Sequence, residues 1–199
     1  MRIRYSLIVL LALGLSASGA GADVFQFAPT PADLSDLDHY YYYTWRIANT
    51  GIDQPIASAT LTMKNIANWD SNPNVLYVHL LNTASSGVRS YYDAESGGDA
   101  FVGQGIELVT YRNLSTTPTT LTYEFDYAEL AKLNDYLASG GDFALGFDPD
   151  CHYWNDGISL TVAEVAGTPV PEPATVSLLL AGSALLAWRH RRQRRLAAA

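Results

Sequence analysis

The sequence predicts a mostly β chain: a jelly-roll-like β-sandwich ectodomain with one short helix, flanked by an N-terminal signal helix and a C-terminal transmembrane helix. Three observations carry this. Apolar residues in the middle of the chain recur with period two, short runs of them are bounded by Gly, Pro, Asn and Asp, and each end is an apolar segment edged with arginine. Of 199 residues only 16% are charged while 12% are aromatic, too few charges and too many rings for a disordered chain.

At the N-terminus Arg2 and Arg4 precede the apolar run Leu7 to Leu15, and the small-residue stretch Ala17 to Ala22 follows. That order is a secretory signal, and Ala20-Gly21-Ala22 fits the A-x-A pattern, so signal peptidase is expected to cut between Ala22 and Asp23. The segment 1–22 is thus a signal peptide and 23–167 the ectodomain. Cys151 is the one cysteine, so an exported body has no internal disulfide and depends on its core.

Within 23–167, Ala57, Ala59, Leu61 and Met63 alternate with polar residues, as do Leu121, Tyr123, Phe125 and Tyr127; each run reads as a strand with one wet face. Val75 to Leu81 is nearly all apolar and reads as an interior strand. Tyr40 to Ala48, Ile106 to Tyr111, Phe143 to Phe147 and Ile158 to Val165 supply the others, about seven strands in all. The exception is Ala128, Leu130, Ala131, Leu133 and Leu137, at helical spacing, with Asp126 and Glu129 placed as a capping box and Gly140-Gly141 as the stop.

Beyond Gly167 the proline-rich segment 168–173, with Pro171-Glu172-Pro173, lacks amide donors and reads as an extended linker. Residues 174–188 carry no charge and are expected to form a transmembrane helix, short at about 22 Å against a hydrocarbon core of about 30 Å. Arg189, Arg191, Arg192, Arg194 and Arg195 in 189–199 form the basic cytoplasmic stop. Pro171-Glu172-Pro173, the apolar helix and the arginine cluster, in that order, resemble the PEP-CTERM sorting signal of Gram-negative bacteria. The resemblance implies a temporary anchor cut by the membrane protease exosortase, and passage through the inner membrane to the cell surface or extracellular matrix. A permanent tail anchor would show the same hydropathy and charge. The phrases at 67–70, 76–81 and 146–157 resemble ectodomains carrying such tails, without established activity, and bring no catalytic residue with them.

Between Asp23 and Thr168 there are 19 acidic residues against five basic ones, which argues against nucleic acid as a partner. Asp148, Asp150, Asn155 and Asp156 form the densest polar cluster; hard oxygens at this spacing suit calcium, and the same residues are also what Asp-Pro-Asp and Asn-Asp-Gly turns select. Asp93, Glu95 and Asp99 read as a solvated acidic loop. Cys151 and His152, adjacent in an extended segment, point apart and do not form a thiolate–imidazole pair. His39, His79 and His152 match no metal-ligand spacing. Tyr40 to Tyr43, Trp45, Tyr91-Tyr92 and Tyr153-Trp154 are dense enough that some rings must face outward, where a flat aromatic can stack on a sugar. No cofactor is required by these motifs. The expectation is an exported, transiently membrane-anchored, non-catalytic surface or matrix protein that binds polysaccharide; the alternatives are an extracellular enzyme acting on matrix polysaccharide and a permanently tail-anchored protein.

Overall fold

The computed structural model describes residues 21–48, 50–93, 97–167 and 175–196. Gly21–Gly167 is one compact unit, built of β1 (Val24–Phe27), β2 (Tyr41–Ala48), β3 (Ile56–Asn68), β4 (Val75–Leu81), β5 (Val88–Tyr92), β6 (Ile106–Arg112), β7 (Thr119–Glu124), α1 (Tyr127–Gly140), β8 (Asp142–Pro149), β9 (Tyr153–Trp154) and β10 (Ile158–Glu164). All pairings are antiparallel. One sheet runs β1-β10-β3-β7, with β9 paired to β3, and the other runs β5-β2-β8-β4-β6.

The two sheets share one core. Leu61, Met63, Leu160 and Val162 of the first meet Trp45, Ile47, Val78, Leu80, Phe143, Leu145 and Phe147 of the second. Alternation explains the inward face of β10 and most of β3. Ala57 departs from it and is exposed, because the register slips between Ala163 and Glu164 and brings Ile56 inward instead. Tyr127 also departs, being 89% exposed: β7 stops at Glu124, and Asp126 caps α1. Asp126 accepts from Glu129 N–H, Glu129 returns the bond to Asp126 N–H, and Gly141 closes the helix at φ 71°. Three strands were not expected from periodicity: β1 and β9 are too short to show it, and β5 is an edge strand with no fully buried residue.

β8 is buried along its whole length, which one core cannot explain. Its second face is covered by residues 97–105, a strap between β5 at one edge of the sheet and β6 at the other. Phe101 anchors the strap, with its ring 5.4 Å from those of Tyr42 on β2 and His79 on β4. Gly146 of β8 lies beneath it; a Cβ there would sit 2.7 Å from the ring. Ala100 N–H donates to Asp148 at 2.7 Å and fixes the strap's entry. At its exit Gly105, at φ 61°, passes so close to Leu80 that a Cβ would lie 2.1 Å from the Leu80 carbonyl oxygen.

Outside this unit the described element is α2 (Thr175–Leu196). It differs from the expected transmembrane helix at 174–188, because the helix does not end at Trp188 but continues through Arg189, Arg191, Arg192, Arg194 and Arg195. Its uncharged part, Thr175–Trp188, is about 21 Å long. Among the described residues no helix is long and apolar enough to cross a membrane. Pro171-Glu172-Pro173 and Ala20 lie outside the described residues.

Gly146→Ala should press on the buried Phe101 ring and destabilise the body by about 1–3 kcal/mol. Chemical denaturation reads the loss, and hydrogen exchange at Ala100 reads the strap; full protection of that amide in the variant would show that the Phe101 contact does not seat it.

Candidate functional site

At one end of the sandwich the β1–β2, β3–β4 and β8–β10 connections come together, since β2, β4 and β10 begin there and β3 and β8 end there. The first of these contains Leu34, Ser35, Asp36 and Leu37, four successive residues with φ between 42° and 58°. Each such non-glycine residue costs roughly 1–2 kcal/mol. The offset is visible: Leu34 and Leu37 are fully buried, Ser35 N–H donates to Asp33 Oδ1, and Asn155 Nδ2 donates to the Asp33 carbonyl at 2.8 Å. The turn thus delivers Asp38 in a fixed place, where Asp38 N–H donates to the Tyr43 hydroxyl, the Asp38 carbonyl accepts from Tyr41 N–H, and Asp38 Oδ1 accepts from Tyr40 N–H.

Next to it lies a continuous set of rings. His39 is 4.4 Å from Tyr40 and 6.1 Å from Trp69, and His152 is 6.4 Å from both His39 and Trp69 and 4.6 Å from Trp154. Trp69 N–H donates to the His152 carbonyl, which locks the two loops together. Trp69 and Trp154 remain more than half exposed at 55% and 53%. Tyr40, Tyr41 and Tyr92 are exposed as well, the last two in edge contact at 5.7 Å. The rest of the tyrosine run turns inward: Tyr43 and Trp45 join the core, Tyr42 lies under Phe101, and Tyr153 is fully buried with its hydroxyl on Asn74.

The expected calcium cluster is divided by the fold. Asp148 and Asp150 face the strap side, whereas the Asn155 side chain holds Asp33 and Gly157 and Asp156 accepts from Asn65 Nδ2 at 2.6 Å. Asn155 therefore performs the turn chemistry that the Asn-Asp-Gly motif selects, while Asp156 ties the turn to Asn65 on β3. Among the described residues, two groups of three His, Cys, Asp or Glu side chains bring ligand atoms within 4.8 Å of one another: Asp38, His39 and His152, and His79, Asp99 and Glu107. Neither contains Asp148, Asp150 or Asp156. His39 and His152 meet without His79, a pairing that loops far apart in sequence bring about and no spacing could reveal. Asp99 is not part of a solvated loop either, for its Oδ2 lies 3.0 Å from the buried His79 Nε2; Glu95 falls outside the described residues. Cys151 is buried in the core while His152 joins the rings, so the two side chains part as adjacent residues should.

The strap covers a strongly perturbed carboxyl, that of Asp148. Burial pushes Asp148 up to about 7, opposed by the hydrogen bond from Ala100 N–H and reinforced by the negative charges of Asp93, Asp150 and Asp99. Burial raises Asp150 also, with a backbone hydrogen bond from Gly98 opposing it. Asp148 Oδ1 is buried without a hydrogen-bond partner.

Comparison with known proteins adds the address. The PEP-CTERM protein-sorting motif matches residues 169–195. No curated protein matches the chain in sequence. Among solved structures, recombinant latent aurone synthase (polyphenol oxidase) is similar at 14% identity and a TM-score of 0.36, over 69% of this chain and 26% of that one. The same enzyme from its natural source gives 12% identity and a TM-score of 0.38, over 79% and 30%. The chain thus spans less than a third of the length of these structures.

The pH dependence of stability should report on Asp148. Its folded carboxyl keeps a proton that the unfolded chain, titrating near 3.8, has already lost. The stability it confers is complete below about pH 4, declines from there to about pH 7 and is absent above, with a ceiling of about 4 kcal/mol. Moving from about pH 8 to about pH 5.5 should raise the melting temperature of the parent, and the permanently neutral Asp148→Asn should lose most of that rise. Equal pH slopes in the two proteins would place the titrating group elsewhere.

Proposed function

From the premise that this chain is a PEP-CTERM sorting-signal protein, exported through the membrane, processed by exosortase and destined for the cell surface, we propose that its body is a non-catalytic polysaccharide-binding module of the surface or matrix. The observation that carries the proposal is the set of exposed rings Tyr40, Tyr41, Trp69, Tyr92 and Trp154 at one end of the sandwich. Flat aromatic faces beside polar loop groups suit pyranose rings, and rigid aromatics lose little conformational freedom on binding. The body's excess of acidic residues disfavours polyanionic glycans, so neutral chains are the expected ligands.

Two features support the non-catalytic side of this reading against an enzyme acting on matrix polysaccharide. The carboxyls with raised pKa, Asp148 and Asp150, face the strap rather than the ring-bearing loops. The rings themselves are flanked, among the described residues, by two imidazoles and one carboxylate, without the pair of carboxyls that glycoside hydrolysis uses. The strand order supports a jelly roll: without β5 and β9, eight strands remain in two four-stranded sheets, β1-β10-β3-β7 and β2-β8-β4-β6, as two interleaved Greek keys require.

Two experiments test the proposal. Glycan-array and calorimetric titration of the exported protein should show binding to a neutral polysaccharide, and Trp69→Ala and Trp154→Ala should each weaken it about two- to tenfold with the fold intact. Unchanged affinity in both variants would move the surface elsewhere. In a host with the matching protease, Glu172→Ala should leave the body folded and stop removal of the tail, read by intact mass and membrane fractionation. A variant cut like the parent would reduce the motif to a linker, and a parent that keeps its tail would be permanently anchored.

A further inference from the structure

We propose that Asp38, His39 and His152 form a surface site for a zinc-class divalent ion, open on one side to solvent. Their ligand atoms all lie within 4.8 Å of one another, and all three side chains are half-buried. His39 Nδ1 is 3.9 Å from Asp38 Oδ1, and His152 Nε2 is buried without a hydrogen-bond partner. A polar nitrogen in that position needs a partner, and a metal supplies one. Zinc takes imidazole nitrogen at about 2.0–2.1 Å, which sets tetrahedral ligand atoms about 3.4 Å apart. The three groups therefore need to close by at most about 1.4 Å, a side-chain rotation at half-buried loop residues.

The frame for such a site is already built. The left-handed turn at Leu34–Leu37 and hydrogen bonds of its own backbone, to the Tyr43 hydroxyl and from Tyr41 N–H, hold Asp38, one of whose carboxylate oxygens is engaged by Tyr40 N–H. The Trp69 N–H bond to the His152 carbonyl fixes the opposite loop. Two imidazoles and one carboxylate favour zinc, copper or nickel over calcium, which takes oxygen alone, and three protein ligands leave a coordination position free. The other three-residue group is less suited, because His79 lies deep under the strap while Glu107 is exposed. The free position would open beside Trp69 and Trp154, but metal binding stands independently of the glycan reading and is tested with the ion alone.

The test is zinc titration of the purified full chain, with bound metal measured after dialysis and the melting temperature recorded against calcium as control. One zinc per chain and a raised melting temperature are expected, with no response to calcium. His39→Gln and His152→Gln should each lower zinc affinity by more than the roughly 10–100-fold that loss of an outer-shell partner costs. Cys151→Ser and His190→Ala should bind as the parent does. Cobalt substitution gives a second readout, since a visible d–d band should appear in the parent and vanish in His39→Gln, which leaves the His152 backbone contact in place. No retained zinc, parent-like affinity in both histidine variants, or binding lost with Cys151→Ser would each overturn the assignment.

Discussion

Because Gly146 carries no side chain, the ring of Phe101 can lie against the outer face of β8, and much of the body's construction follows from that contact. A strand at the middle of a five-stranded sheet has two faces to satisfy. The inner face meets the opposite sheet, and the outer one would be left to water without the strap. Once Phe101 is seated, the polar atoms around it are forced out of solvent: Asp148 must accept from Ala100, and His79 is brought to Asp99. The raised carboxyl of Asp148 is the electrostatic consequence of burial beneath the strap, reinforced by the charges of Asp93 and Asp99 on the covering loop and of Asp150 just beyond β8.

Covering this face also assigns the ends of the sandwich their roles. With one sheet face under the strap, the exposed rings gather where the connections 28–40, 69–74 and 150–157 converge. Their loops are tied to one another by the His152–Trp69 and Asn155–Asp33 hydrogen bonds. Binding residues on loops held by a sandwich is a general arrangement, for loops can vary in chemistry without disturbing the core.

Much of this fold could be read from periodicity, and its limits have physical causes. Val75 to Leu81 and Ile158 to Glu164 are legible because a buried face imposes alternation or an apolar run. The helix is legible because Asp126, Glu129 and Gly141 act within a few residues of one another. The strap is not legible: Asp93, Glu95, Asp99 and four glycines look like a solvated loop until Phe101 finds Gly146 across the chain. The site suffers the same limitation. Outward rings were to be expected from their density, yet nothing local to His39 announces His152, and the cluster at Asp148, Asp150, Asn155 and Asp156 reads as one group although its members serve two different places. At the tail, charge composition located the basic segment but not its conformation, because arginine is a good helix former and prolongs α2 past Trp188.

An exported chain with a single cysteine has to fix its ring-bearing loops without an internal disulfide, and the left-handed turn shows how this one does so. Four residues in a disfavoured backbone region persist only if the surroundings determine them, and here two leucines inserted into the core, together with the Asp33 and Asn155 contacts, do that. The same insertion aligns the chain leaving the turn, so that Asp38 and His39 are presented on the body's surface by burial that occurs beneath it. A disulfide would restrain the loop at one point and leave the approach of the next residues open. Anchoring through the core instead couples the geometry of the ring-bearing end to the folding of the whole body.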